Sequence, residues 1–176
     1  MRNFIRLLMI FILFFSLKIS AQNSYISQYK AFATELSQEF GIPTVVILSI
    51  AYMETGGGTS SACKVLNNHF GMTGKNDINS SRFKSFADSK ASYRAFCEWV
   101  SKRKFYEKLK GSQDHNNWFM AIASSGYSTK PAEWKQKLNV VMKKIGLQYF
   151  DEIKELSTLN QLIFQRIFSK FFRNFW

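Results

Sequence analysis

Apolar residues recur at helical spacing along most of the chain, and the places where that spacing breaks carry the chemistry. Over residues 25–40, Ile26, Tyr29, Phe32, Ala33, Leu36 and Phe40 fall on one side of a helix that Ser24 is placed to cap. The next run is different: Val45, Val46, Ile47, Leu48, Ile50, Ala51 and Met53 are apolar on nearly every side, which predicts a helix buried all round. Pro43 suits its first turn, where the missing N–H has no intrahelical partner, and Gly56 to Gly58 suit a left-handed stop. Residues 72–88 then turn polar and rich in Gly, Asn and Ser, predicting a loop with a short hairpin around Arg82 to Phe86.

Helical spacing resumes over residues 89–110 through Ser92, Tyr93, Phe96, Val100 and Phe105, with Asp88 as cap and Lys102-Arg103-Lys104 facing water. A shorter helix follows from Trp118 to Ser124, capped by Asn117 and closed by Gly126. Pro131 starts the last one, with Trp134, Leu138, Val141 and Ile145 on one face and Gly146 as its stop. The pattern is mainly α.

The two ends read differently from this middle. Residues 1–21 have a secretory pattern: Arg2 and Arg6, an apolar run from Leu7 to Leu17 broken only by Ser16, then small residues before a cut ahead of Gln22. That run is short of the ~20 residues that span a bilayer, which favours a cleaved leader over an anchor. Residues 22–151 form the expected domain. Residues 152–176 contain a helix whose wide apolar face is Ile163, Phe164, Ile167, Phe168, Phe171, Phe172 and Phe175, with Arg166, Lys170 and Arg173 opposite. Such an amphipathic, basic and aromatic helix suits a membrane surface, and it equally suits folding back over the domain or a partner.

Composition narrows the function classes. A chain of 176 residues with 46% hydrophobic and 20% charged residues supports one domain with a real core. The leader holds three of the 24 basic residues and none of the 12 acidic ones, so the remainder has 24 − 3 = 21 basic residues and a net charge of +9. No nucleic-acid-binding motif accompanies that charge, and an exported basic protein points to the anionic cell wall or to anionic headgroups instead. Cys63 and Cys97, with 33 residues between them, are either a disulfide closing a loop worth roughly 3–4 kcal/mol or two buried thiols. Two histidines without ligand spacing give no metal site, and no cofactor is indicated.

The candidate chemistry sits at Glu54, the single carboxylate closing the buried helix. There it meets the negative end of the helix dipole in poor contact with water, and both effects favour the neutral acid. A carboxyl protonated near neutral pH can donate to a departing glycosidic oxygen. Three glycines after it would let a polymeric substrate approach the backbone closely. A solvated Glu at a frayed helix end is the competing reading.

Three blocks carry a family resemblance. Glu54-Thr55-Gly56-Gly57-Gly58-Thr59-Ser60, then Asn67-Asn68-His69-Phe70-Gly71, then Gly126-Tyr127-Ser128-Thr129-Lys130-Pro131 with Trp134-Lys135-Gln136-Lys137-Leu138, occur in that order. Together they resemble the E-S-G-x-G-x-S, N-x-F-G and G-Y-A-T-D-P-x-Y-x-x-K-L segments of the peptidoglycan N-acetylglucosaminidases of glycoside hydrolase family 73, across roughly residues 25–150. The resemblance implies a lysozyme-like helical domain with a small flexible β-hairpin lobe over the cleft. It departs at Gly57, where many members carry Trp, and at Thr55, Lys130 and Trp134 in place of Ser, Asp and Tyr.

The resemblance also implies roles. Glu54 becomes the general acid, Asp77 in the lobe the base that activates water, and Tyr127 a group projecting into the cleft beside the acid. Gly57, Asn68, Phe70 and Trp134 become the substrate-binding set, Asn68 by an amide contact to an N-acetyl group. His69 reads as scaffold, and Asp88 as a cap. The function implied is a secreted or periplasmic hydrolase acting on the β-1,4 bond between N-acetylglucosamine and N-acetylmuramic acid, with the glycan strand as partner. A lytic transglycosylase is the rival enzyme, and a wall- or membrane-binding protein without turnover is the rival from another class.

Overall fold

The apolar helix is the axle of the molecule. The computed structural model describes residues 24–147 and Leu162, so the leader expected at residues 1–21 and nearly all of the amphipathic helix expected within residues 152–176 lie outside the described residues. Helix α1 spans Ser24–Phe40 and α2 spans Thr44–Thr55. Every residue of α2 from Thr44 to Ala51 is buried, as its apolar composition requires. Pro43 sits just outside the first turn as N-cap, and Gly56 closes α2 in a left-handed conformation (φ 59°, ψ 40°).

A short α3 (Ser61–Leu66) follows, capped by Ser60, whose hydroxyl accepts from the Cys63 N–H at 3.2 Å. Helix α4 spans Ser89–Ser101, and the Asp88 carboxylate caps it by accepting from the Ala91 N–H at 2.7 Å. Next come α5 (Tyr106–Leu109), α6 (His115–Ile122), a π-helical turn over Ala123–Tyr127, and α7 (Pro131–Lys144). Helix α1 packs on α2 and α4, while α2 also packs on α6 and α7, so the apolar helix has neighbours all round. Trp118, Tyr93, Phe70, Phe96 and Phe119 are the largest fully buried side chains between them. At the surface, Arg94 on α4 grips Glu39 on α1 through two hydrogen bonds of 2.6 and 2.7 Å. No described helix is long and apolar enough to cross a membrane.

Several expectations are corrected. The helix expected over 89–110 breaks after Ser101, and Lys102-Arg103-Lys104 lies in the turn between α4 and α5. The break lets Tyr106 swing into the core, where its hydroxyl donates to the Phe40 carbonyl at 2.6 Å. The cap of α6 is Asp114, which accepts from both the N–H and the side-chain amide of Asn117, rather than Asn117 itself. The hairpin lobe is reduced: among the described residues there is no strand, only an isolated antiparallel bridge between Thr73 and Phe83. The Asn side chains at 68, 76 and 79 satisfy the backbone of this segment, and such local bonds compete with a ladder. Cys63 and Cys97 are both buried free thiols, so no disulfide braces this fold.

Candidate active site

Glu54 lies in the last turn of α2, where the core opens into a cleft of about 670 Å³. Its walls include Asn68, Phe70 and Gly71 after α3, Thr73, Arg82 and Phe83 from the bridged loop, and Phe96 and Trp99 from α4. Gly126 and Tyr127 of the π turn close the far side. Among the described residues Glu54 is the only carboxylate in this lining.

Burial raises the Glu54 pKa above the ordinary carboxylate value, and the indole N–H of Trp134 opposes that by donating to Oε1 at 3.0 Å. Burial is the larger effect, so the neutral acid is favoured. The other oxygen faces Gly71: a Cβ built there would stand 3.5 Å from Glu54 Oε2, and the backbone is left-handed (φ 62°). Glycine at 71 therefore keeps one face of the carboxyl open to the cleft.

Tyr127 stands beside this acid. Its hydroxyl donates to the Phe70 carbonyl at 2.6 Å, and its ring meets Trp134, Trp99 and Phe96 edge-on at centroid distances of 5.3, 5.4 and 5.9 Å. Burial and then the nearby Glu54 charge push its pKa up, so the phenol stays protonated. Phe70 lies flat on Phe96, 4.2 Å between centroids and 7° between planes, and both line the cleft.

Other roles expected from the sequence change once the neighbours are known. The Asn68 amide is saturated by the protein: Nδ2 donates to the Met72 and Lys84 carbonyls, both at 2.8 Å, while Oδ1 accepts from the Phe70 and Met72 N–H groups. It staples the bridged loop to the base of the cleft, leaving no free amide for a sugar. Trp134 is buried behind Glu54, 9% exposed, and touches the acid rather than the cleft. Gly57 does not line the cleft; a Cβ there would meet the Tyr52 ring at 3.0 Å, and one at Gly58 would strike Tyr25 at 2.8 Å. All three glycines have left-handed backbone, and at Gly57 and Gly58 these rings also leave no room for a side chain.

Asp77 is the residue the fold does not bring in. It is exposed, pairs with Lys75 at 3.2 Å, and lies outside the cleft lining. His69 is held among structural partners: Nδ1 lies 2.7 Å from the Tyr25 hydroxyl, Nε2 lies 2.9 Å from the Ser89 hydroxyl, and burial lowers its pKa to about 4. Cleft residues that sequence reasoning passes over are Gly71, Arg82, Phe83 and Trp99. Gly71 alone has a signal, as the last letter of the N-x-F-G block.

Comparison with known proteins bears on the family and the fold. A glucosaminidase family profile, described as mannosyl-glycoprotein endo-beta-N-acetylglucosaminidase, matches residues 30–147. No curated protein sequence matches significantly. Among solved structures, the catalytic domain of the autolysin Auto from Listeria monocytogenes superposes with a TM-score of 0.60 at 19% identity, covering 74% of this chain and 88% of that one. The glycoside hydrolase domain of FlgJ from Salmonella typhimurium gives 0.57 at 15% identity, covering 80% and 97%. A peptidoglycan hydrolase from Sphingomonas sp. A1 gives 0.58 at 17%, covering 72% and 94%. At such identities the likeness to these structures shows a shared fold.

Proposed function

The chain belongs to the glucosaminidase family of glycoside hydrolases, and from that premise we propose that it cleaves peptidoglycan at the β-1,4 bond between N-acetylglucosamine and N-acetylmuramic acid, with Glu54 as the general acid. One observation carries the assignment: a carboxyl favoured in its neutral form by burial, held by the Trp134 indole, and open on one oxygen to a long cleft. A protonated carboxyl receives a hydrogen bond on its carbonyl oxygen. Donation from Trp134 to Oε1 therefore leaves the proton on Oε2, the atom facing Gly71 and the cleft. From there it passes to the leaving glycosidic oxygen as the C1–O bond breaks.

The second half of the reaction has two readings. In one, Asp77 activates water, which requires its loop to fold over the cleft from an exposed position. In the other, the carbonyl oxygen of the substrate's own N-acetyl group attacks C1 and water opens the resulting ring. The absence of a second carboxylate from the described cleft lining favours the substrate-assisted route. Tyr127 then serves as a wall and as a brace holding the Phe70 turn. The leader at residues 1–21 and the nature of the substrate together support action outside the cytoplasm, in the cell envelope.

A zymogram on purified peptidoglycan tests the reading. Wild type clears the gel, Glu54→Gln loses about 10²–10⁴ of the rate, and the products carry reducing ends with the mass of added water. Products lacking that water indicate a transglycosylase; wall binding without lysis by wild type overturns the enzymatic reading. Asp77→Asn separates the two routes, since the substrate-assisted one predicts a rate within about threefold of wild type while a base would cost about 10²-fold or more.

A further inference from the structure

Behind Trp99 lies a second pocket, of about 570 Å³, in which Lys102, Arg103 and Lys104 from the turn after α4 meet Phe105, Ser124 and Ser125. Three cations in consecutive positions repel one another, and none takes part in the ion pairs found among the described residues. The Arg103 guanidinium lies 3.8 Å from the Trp99 ring centroid, stacked on the indole, and its Nε is buried with no hydrogen-bond partner among the described residues. No acidic side chain lines the pocket among the described residues.

The partition between this pocket and the cleft is thin. Trp99 carries Arg103 on its ring and itself lines the cleft. The π turn Ala123–Tyr127 likewise presents Ser124 and Ser125 to the pocket and Gly126 and Tyr127 to the cleft. A substituent hanging from a sugar bound against Trp99 and Tyr127 thus has a cationic recess one side chain away. A planar guanidinium on an aromatic face, flanked by lysines and hydroxyls, is suited to a carboxylate.

We infer that the Arg103 pocket is an anion subsite of the cleft, taking a carboxylate of the peptide stem that projects from the muramic residue. The inference rests on the peptidoglycan reading above and adds to it a preference for strands that keep their stems. The lactyl carboxylate freed when stems are removed is the other source of the same chemistry; it hangs directly on the sugar ring and has less reach past the partition.

Steady-state kinetics on soluble glycan strands, with stems intact and with stems removed by an amidase, test this. For Arg103→Gln the expected result is a KM about tenfold higher on stem-bearing strands with kcat within about twofold, and no change on stem-free strands. Ser124→Asp places a negative charge in the pocket without disturbing the stack on Trp99, and is expected to give the same selective loss. It keeps the test decisive should Arg103→Gln fold poorly. Raised salt should narrow the wild-type preference for stem-bearing strands. A loss confined to stem-free strands assigns the anion to the lactyl carboxylate and overturns the stem subsite, as do equal losses on both strands or no loss on either. Failure of wild type to cut either strand overturns the peptidoglycan reading itself, a result distinct from selective or unselective loss in the variants.

Discussion

Replacing Trp134 by Phe removes the one hydrogen-bond donor that the described residues offer to Glu54 while keeping an aromatic ring behind it. The indole N–H approaches Oε1 at 3.0 Å from a residue 9% exposed, so the bond is shielded from water on the tryptophan side. A hydrogen bond to a charged acceptor contributes about 1.5–3 kcal/mol, and the open cleft places this one toward the lower figure. The bond favours the carboxylate, opposing burial. Its loss should therefore shift the ionisation of Glu54 further toward the neutral acid. A general acid works while protonated, so kcat/KM falls as pH rises through its pKa. In Trp134→Phe that alkaline limb moves to higher pH, and the plateau below it drops about tenfold as the carboxyl loses its fixed orientation. Trp134→Tyr, which keeps a hydroxyl donor, should lie between the two. The assay is reducing-end release from soluble glycan strands between about pH 4 and 9, with circular dichroism confirming a folded variant at each pH. A limb that stays in place or moves to lower pH in a folded variant refutes the role assigned to the indole.

Other consequences are open to direct measurement. Glu54→Gln should raise the melting temperature by a few degrees at neutral pH: a carboxyl whose pKa is raised by folding contributes stability below its ordinary pKa and loses it as pH rises, so the advantage should vanish in acid. His69 titrates in the opposite sense, its pKa lowered by burial to about 4 from 6.5, so the stability of the neutral ring is present above pH 6.5 and lost as pH falls toward 4. Chemical denaturation of wild type and His69→Gln should show their difference shrinking by roughly 2–3 kcal/mol across that window. Both thiols are buried and their pKa values raised by burial, so Cys63 and Cys97 should resist alkylation at pH 8 until denaturant is added, and reductant should leave the melting temperature unchanged. Asn68→Ala removes an amide with four backbone hydrogen bonds and should cost about 2–4 kcal/mol, with faster amide exchange over residues 72–84.

Periodicity and punctuation in the sequence determined the helical class, the buried axle from Thr44 to Thr55, its left-handed glycine stop and the Asp88 cap, because these depend on neighbours within a turn. The same local logic placed Glu54 where charge is disfavoured, and the three motif blocks supplied the family. What local logic could not supply was the partner across space. The Trp134 indole reaches Glu54 over 80 residues, and Arg103 stacks on Trp99 where periodicity alone predicts a continuous helix. Asn68 is a staple because Met72 and Lys84 converge on it, and Asp77 stays outside because its loop closes with a single bridge. Spacing along the chain states which side chains share a face. Only packing decides which N–H meets which oxygen, and that pairing sets both the surroundings of Glu54 and the recess behind Trp99.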